Sequence, residues 1–154
     1  MLRALLGLTG LLLVSACAST PTGPADQILG TWTCNAASQG AVVDGKFTYM
    51  TGGKTQANAA MDVDAAGQKI WLAGIIDATW GFQPDGKLIE TIVGLKVNAA
   101  RVGGKDLPAP AVGAMVQPMV DQMIVGQSST SAVVFDGATM TLTDDKGVVT
   151  TCKR

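Results

Sequence analysis

Two cysteines near opposite ends of the chain, Cys34 and Cys152, constrain the fold more than any other feature. Trp32 precedes the first cysteine by two residues and Arg154 follows the second by two, so on β-strands each cysteine shares a face with that neighbour. If the strands run antiparallel with the cysteines opposite each other, Trp32 faces Arg154, because both pairs of residue numbers sum to 186. One register thus allows a disulfide and a cation–π contact worth roughly 0.5–2 kcal/mol. It predicts that the first and last strands pair and close a barrel.

The first seventeen residues, MLRALLGLTGLLLVSAC, are typical of a secretory signal, with one basic residue, a short apolar run and small residues before the cysteine. The apolar run is shorter than the ~20 residues that a membrane-spanning helix needs. A plain signal that is removed by the general peptidase is one interpretation. Export places the domain in an oxidising compartment, where an even pair of cysteines favours a disulfide over two buried free thiols. The Cys34–Cys152 bridge would close a loop of 118 residues and stabilise the fold by roughly 4–5 kcal/mol.

The end of this segment, Val14-Ser15-Ala16-Cys17, resembles the lipobox of bacterial lipoproteins. The resemblance implies that residues 1–16 are a signal peptide, that Cys17 carries the lipid, and that the lipid anchors the chain to the cell envelope. Ala18, in place of an Asp, implies the outer membrane rather than the inner one. Residues 17–27 are rich in Pro and Gly and predict a flexible, lipid-anchored tether, which leaves 28–154 as the folded domain.

Turn signals recur at short spacing along this domain and include Asp44-Gly45, Gly52-Gly53, Asp85-Gly86 and Asp136-Gly137. The segments between them alternate apolar with polar residues, which predicts eight or nine strands. The stretch from Lys69 to Gln83 is either two strands or one strand that bends at Asp77. We therefore expect an all-β fold, a small antiparallel up-and-down barrel that a disulfide closes between its first and last strands.

Gly30-Thr31-Trp32 resembles the Gly-X-Trp signature of the first strand in lipocalins and related calycins. That family places an Arg or Lys from near the end of the barrel against the tryptophan, a place that Arg154 or Lys153 would take here. The resemblance implies an eight-stranded up-and-down barrel, usually with an apolar ligand cup.

Residues 103–129 break the strand pattern. Apolar residues between 112 and 123 follow a three-four spacing, which predicts one short amphipathic helix around 111–125, kinked at Pro118 or beginning near it. Three interpretations remain open for this helix: packing against the barrel or plugging one end, a mobile lid over an apolar cup, and docking of a partner. In the lid interpretation the ligand-binding residues include Met115, Met119 and Met123.

Three aromatic residues are further candidates for ligand contact: Trp71, Trp80 and Phe82. Tryptophans at alternating strand positions are more often core or rim residues, although the surroundings of these are apolar enough to line a cavity.

Composition narrows the function classes. The chain has no histidine, which excludes a Ser-His-Asp triad, a Cys-His dyad and a His-ligated zinc site. A net charge of −1 argues against nucleic-acid binding. We expect no enzyme activity, no metal and no cofactor. The expected function is binding of a small apolar or amphipathic ligand by an envelope-anchored barrel. Alternatives are a protein-interaction module, such as a periplasmic inhibitor of lysozymes or proteases, and a structural role in the envelope.

Overall fold

The computed structural model describes residues 23–38, 41–65 and 67–154. The predicted signal peptide (1–16), the proposed lipid site Cys17 and the first part of the tether lie outside the described residues. Within the described part of the chain, no helix is both long enough and apolar enough to cross a membrane.

Strands make up most of the described chain, as the spacing of turn signals predicts. The prediction of a turn at Asp44-Gly45 is wrong, because these residues lie inside the strand Ala41–Met50 and pair with both neighbouring strands. The nine strands are β1 (Gly30–Ser38), β2 (Ala41–Met50), β3 (Lys54–Ala65), β4 (Gln68–Phe82), β5 (Leu88–Val102), β6 (Lys105–Asp106), β7 (Ser128–Asp136), β8 (Thr139–Asp144) and β9 (Val149–Lys153).

Eight of these strands form a closed antiparallel barrel, and β6 is a short extra strand beside the end of β5. Neighbours in sequence pair with each other around the barrel, except that β5 pairs with β7, and β1 pairs with β9 to close it. In that closing pair Cys34 lies opposite Cys152, and the two form a disulfide. The predicted fold class and the predicted closure are confirmed.

The same closing pair brings the C-terminal arginine over the first-strand tryptophan. The guanidinium carbon of Arg154 lies 4.3 Å from the ring centroid of Trp32, which is fully buried. Arg154 also donates to the backbone carbonyls of Gln27 and Leu29 at 3.3 and 3.2 Å. The indole N–H of Trp32 donates to the carbonyl of Ile28 at 2.7 Å. These bonds join the chain before β1 to the end of the barrel.

That preceding segment is helical rather than extended. Pro24–Gln27 forms a four-residue helix, α1, so the last part of the predicted flexible tether belongs to the folded unit. Proline suits this position because the first turn of a helix has no use for its missing N–H. A buried cluster fills the barrel beside α1; its members are Ile28, Trp32, Cys34, Tyr49, Leu88, Met140, Leu142 and Cys152.

The long stretch after residue 67 is one strand, β4, and its pairing with β5 is irregular at two places. The register shifts between Ala73 and Gly74 and again between Asp77 and Ala78. At each shift one residue of β5 is unpaired. Asn98 is unpaired at the first of these shifts, and Val93 is unpaired at the second. Such bulges reverse which side chains face the interior beyond them.

The predicted helix is present between residues 109 and 124 as three consecutive pieces. Ala109–Ala111 forms α2, Val112–Val116 forms a π-helical turn, and Gln117–Ile124 forms α3. Pro118 lies at the start of α3, directly after the π-helical turn, so the helix changes its hydrogen-bonding pattern where the proline removes an N–H donor.

This helical segment packs on the long strands β4 and β5. Its sheet-facing residues are Val112, Val116 and Val120, all buried. Together with residues of the two strands they form a second core, whose strand members are Leu72, Leu95, Val97 and Ala100.

Gln117 attaches the helical segment to the free edge of β5. Its side-chain oxygen accepts the backbone N–H of Val97 at 2.8 Å, and its amide nitrogen donates to the carbonyl of Leu95. The amide thus takes the place of a neighbouring strand, because β7 pairs with β5 only over residues 88–91. The segment is part of the barrel wall.

Candidate functional site

The barrel interior is lined on several strands by small side chains. The register aligns Ala36 of β1 with Val43 of β2, and aligns Ala57 of β3 with Phe47 on one side. On the next strand Ala78 lies opposite Thr55. Because alternate strand residues face the same side, these alanines face inward in place of larger residues that would fill the space.

Two cavities occupy the space that remains, each with a volume of about 240 Å³. Both are bounded by Phe47, Glu90 and Ser129, so these residues lie between them. The first cavity is also lined by Cys34, Ala36, Val43, Tyr49, Ser131, Leu142, Asp144, Val148 and Thr150. The second is also lined by Thr55, Ala57, Ile76, Ala78, Ile92, Gln127 and Ser128.

Glu90 is the one residue of β5 that brings a carboxylate to both cavities. The buried hydroxyl of Tyr49 donates to its Oε1 at 3.0 Å. Loss of solvent raises the pKa of the Glu90 carboxyl above its ordinary value, and the hydrogen bond from Tyr49 opposes that rise in part. Burial, followed by the negative charge of Glu90, raises the pKa of Tyr49, so the phenol stays protonated and acts as the donor.

No cation of the described chain lines either cavity: neither set of lining residues contains a Lys or an Arg. Asp144 is the other acidic residue in the first cavity. One of its carboxylate oxygens accepts the backbone N–H groups of Lys146 and Val148 at 2.9 and 2.8 Å, which orders the turn between β8 and β9. Within the described part of the chain, the hydroxyl of Tyr49 is the donor to Glu90, which accepts from no backbone N–H, so the charge of Glu90 is the less compensated of the two.

The second cavity also contains an unpaired hydroxyl. Among the described residues, Thr55 Oγ1 is the buried side-chain oxygen or nitrogen that lacks a hydrogen-bond partner, and Thr55 is only 4 % exposed. An unpaired buried hydroxyl costs roughly 1–3 kcal/mol. Thr55 and Glu90 therefore give an otherwise apolar chamber two groups with unused hydrogen-bonding capacity.

Trp80 and Phe82 belong to the interior, but they pack against the core beside α1 instead of lining the cavities. Trp80 contacts the rings of Tyr49 and Phe82 edge-on, at centroid distances of 6.1 and 6.2 Å. Its indole N–H donates to the backbone carbonyls of Met50 and Lys54 at 3.2 and 3.0 Å. Trp80 thus supports Tyr49, which in turn contacts Glu90.

Trp71 lies on the outer face of the barrel. It is nine residues from Trp80 on the same strand, and an odd spacing places two side chains on opposite faces. Outside, the guanidinium carbon of Arg101 lies 5.2 Å from the Trp71 ring centroid, and Asp106 accepts from Arg101 at 2.8 Å. The structure therefore does not bring Trp71 to the predicted ligand site.

The three candidate methionines of the helix also lie away from the cavities. Met115, Met119 and Met123 are 72 %, 46 % and 65 % exposed. Each precedes by one residue an aliphatic side chain that packs on the sheet, and both series repeat every four residues. The four-residue spacing therefore does not decide which of the two series packs on the sheet. In the structure the valines pack on it. In the structure the helix is a wall element, and its methionines face outward.

Sequence reasoning missed Glu90, Tyr49 and Thr55 as candidate site residues. Glu90 is the only glutamate of the chain and lies in an apolar stretch, which is the signal that marks it. Simple alternation from Ile89 to Val97 predicts that the odd-numbered residues share one face of the strand. The bulge at Val93 reverses that order, so Glu90 and Ile92 face inward before it and Leu95 after it.

Comparisons with known proteins assign no role to these residues. No model of a known protein family matches the sequence, and no curated protein matches it. Among solved structures, the chain is similar to a redesigned β-barrel, mFAP1, bound to DFHBI. The two share 15 % sequence identity over 84 % of this chain and 97 % of that one, with a TM-score of 0.35.

Proposed function

We propose that this chain is a lipid-anchored protein of the bacterial cell envelope whose barrel binds a small apolar or amphipathic ligand. The observation that carries the binding proposal is the pair of 240 Å³ cavities that meet at Glu90. Ligand sites are typically apolar concavities with a few placed polar groups. Here the apolar wall comes from Phe47, alanines and branched aliphatic residues, and the polar groups are Glu90 and Thr55.

The cost of keeping these cavities supports a binding role. Unfilled space in the interior forfeits packing contacts, and the side chains around it lose the stabilisation that a filled core would give. The barrel also retains a partly buried carboxylate and an unpaired hydroxyl in that space. A ligand that fills the chamber and pairs with both groups would offset these costs. A barrel that served only as a structural spacer would gain nothing from them.

The anchoring proposal rests on the sequence from Val14 to Cys17 and on the position of this motif at the end of an apolar run. Ala18 favours the outer membrane over the inner one. A diacyl or triacyl anchor would be stable, because each buried CH₂ contributes about 0.8 kcal/mol. The residues between Cys17 and α1 would connect the lipid to the barrel.

Native mass spectrometry of the mature chain, purified gently from its own host, tests the binding proposal. We expect a reproducible bound molecule of low mass. Ala78→Leu places a larger side chain in the second cavity and should abolish the extra mass, whereas Ala132→Leu, on the exposed face of β7, should retain it. Recovery of the chain without any bound molecule, together with failure to bind added amphiphiles, would contradict the proposal.

Globomycin, which inhibits the lipoprotein signal peptidase, tests the anchoring proposal. Treated cells should accumulate the uncleaved precursor, and Cys17→Ser should remove lipid from the chain without affecting the fold of the barrel. Normal maturation in the presence of the inhibitor would contradict lipidation and would favour a plain secretory signal.

A further inference from the structure

We propose that the ligand of this barrel is an amphipathic amine, whose ammonium group pairs with Glu90 while its apolar part lies against the cavity wall. This inference rests on the proposed ligand-binding function and specifies the chemical class of the ligand.

The charge at the cavities favours a cationic ligand. Glu90 lines both cavities, no Lys or Arg of the described chain lines either of them, and one hydroxyl, that of Tyr49, bonds to its carboxylate. A desolvated carboxylate without a countercharge is unfavourable, and a cation beside it offsets that cost. Because the protein supplies no cation at this place, a cationic group on the ligand is the natural complement. Burial raises the pKa of the Glu90 carboxyl, which is the expected effect of desolvation on a carboxylate.

Aromatic side chains line the cavities together with the carboxylate. Phe47 borders both cavities beside Glu90, and Tyr49 borders the first of them. Aromatic rings attract cations through their electron-rich faces, and this attraction increases when water is excluded. A carboxylate next to aromatic rings in an apolar chamber favours an ammonium group over a neutral polar one.

The hydrogen-bond acceptors of the second cavity also suit an ammonium group. A primary ammonium group has three N–H donors and no acceptor. The second cavity offers the carboxylate of Glu90 and the unpaired, buried oxygen of Thr55, with the hydroxyl of Ser129 also on its lining. Oxygens of this kind are the acceptors that an ammonium group requires. A carboxylate ligand, in contrast, would be repelled by Glu90.

The size of the chamber selects the probes. At roughly 30 Å³ for each water-sized group, a cavity of 240 Å³ accommodates about eight such groups. We therefore choose octylamine, 1-octanol and octanoate, which share one chain length and differ in the charge of the head group. At neutral pH the amine is cationic, since alkylamines titrate near the ordinary pKa of lysine.

The experiment is calorimetric titration of the mature chain with each probe at neutral pH. The protein carries Cys17→Ser so that it is free of lipid but retains its tether and the whole barrel. Three forms are compared: this protein, the same protein with Glu90→Gln, and the same protein with Asp62→Asn. The last removes one negative charge from an exposed position of β3 and controls for net charge.

We expect octylamine to bind about tenfold or more tightly than 1-octanol, the ratio that corresponds to the low end of coupling energies for close charge pairs. Octanoate should bind more weakly than the alcohol. Glu90→Gln should remove the preference for the amine, so that octylamine and 1-octanol bind with similar affinity. Asp62→Asn should preserve the preference.

Equal binding of amine and alcohol, or an amine preference that survives Glu90→Gln, would overturn the amine inference while leaving the binding function in place. Failure of all three probes to bind any form would overturn both. The comparison of probes on the unsubstituted cavity keeps the inference testable even if Glu90→Gln impairs folding.

Discussion

Glu90→Gln should stabilise the empty barrel at neutral pH, although it replaces a residue at the centre of the candidate site. The glutamine amide keeps an oxygen that accepts from the Tyr49 hydroxyl, whose distance to Glu90 is 3.0 Å. It removes the charge that the cavity desolvates. The folded protein holds the Glu90 proton more tightly than the unfolded chain, because the pKa of this carboxyl is raised from its ordinary value of 4.5.

This difference in pKa sets both the sign and the size of the effect. The stability that Glu90 contributes is full below its unfolded pKa, falls as the pH rises, and is lost above the folded pKa. Each unit by which the folded pKa is raised corresponds to about 1.4 kcal/mol at neutral pH. For a domain of this size, each kcal/mol moves the melting temperature by about 3–5 °C.

Thermal unfolding, followed by circular dichroism at several pH values between about 4 and 8, measures this effect. The parent protein should lose stability across this window relative to Glu90→Gln, so that the two curves converge at low pH and diverge towards neutral pH. Asp62→Asn should follow the parent protein. Parallel curves for the parent and Glu90→Gln would refute the reasoning, because they would mean that the carboxylate is well solvated or already neutralised.

Three further predictions concern the framework of the barrel. Peptide mapping without reductant should recover Cys34 joined to Cys152, and reduction should destabilise the fold by roughly 4–5 kcal/mol; free thiols at both positions would contradict this. Arg154→Ala should lower the melting temperature by several degrees, since about 0.5–2 kcal/mol of cation–π energy and two carbonyl hydrogen bonds are lost. Lys153→Ala is the control. An unchanged melting temperature for Arg154→Ala would show that Trp32 does not depend on the arginine. Gln117→Ala should cost about 1–3 kcal/mol and increase hydrogen exchange at the edge of β5, whereas exchange that matches the parent protein would show that the amide does not protect that edge.

Much of the architecture could be predicted because it depends on strand alternation and turn residues, both of which are local. The pairing of Cys34 with Cys152 could be predicted because the residue numbers of every pair in an antiparallel ladder have the same sum. The helix followed from a change of period after residue 103. These signals remain visible without any knowledge of which strands neighbour each other.

The site was harder to predict because bulges and helix rotation decide which side chains face the cavity. One unpaired residue, Val93, moves Glu90 to the interior and leaves Thr91 outside. On the helix, methionines and valines have the same four-residue spacing and differ only by a rotation of about 100°. Neither the position of the bulge nor the rotation of the helix has a strong local cause. Packing between segments that are distant in the sequence therefore decides both.

The most direct test of the central claim is to locate a bound amphiphile by nuclear magnetic resonance. Methyl groups of Ala57, Ala78 and Ile92 report on the cavity, and those of Met115 and Met123 report on the exposed helix face. On titration with octylamine, the account predicts saturable shifts of the cavity methyl signals, with the methionine signals unmoved. Shifts confined to the methionines, with the cavity signals unchanged, would contradict it and would place the binding surface on the outside of the barrel.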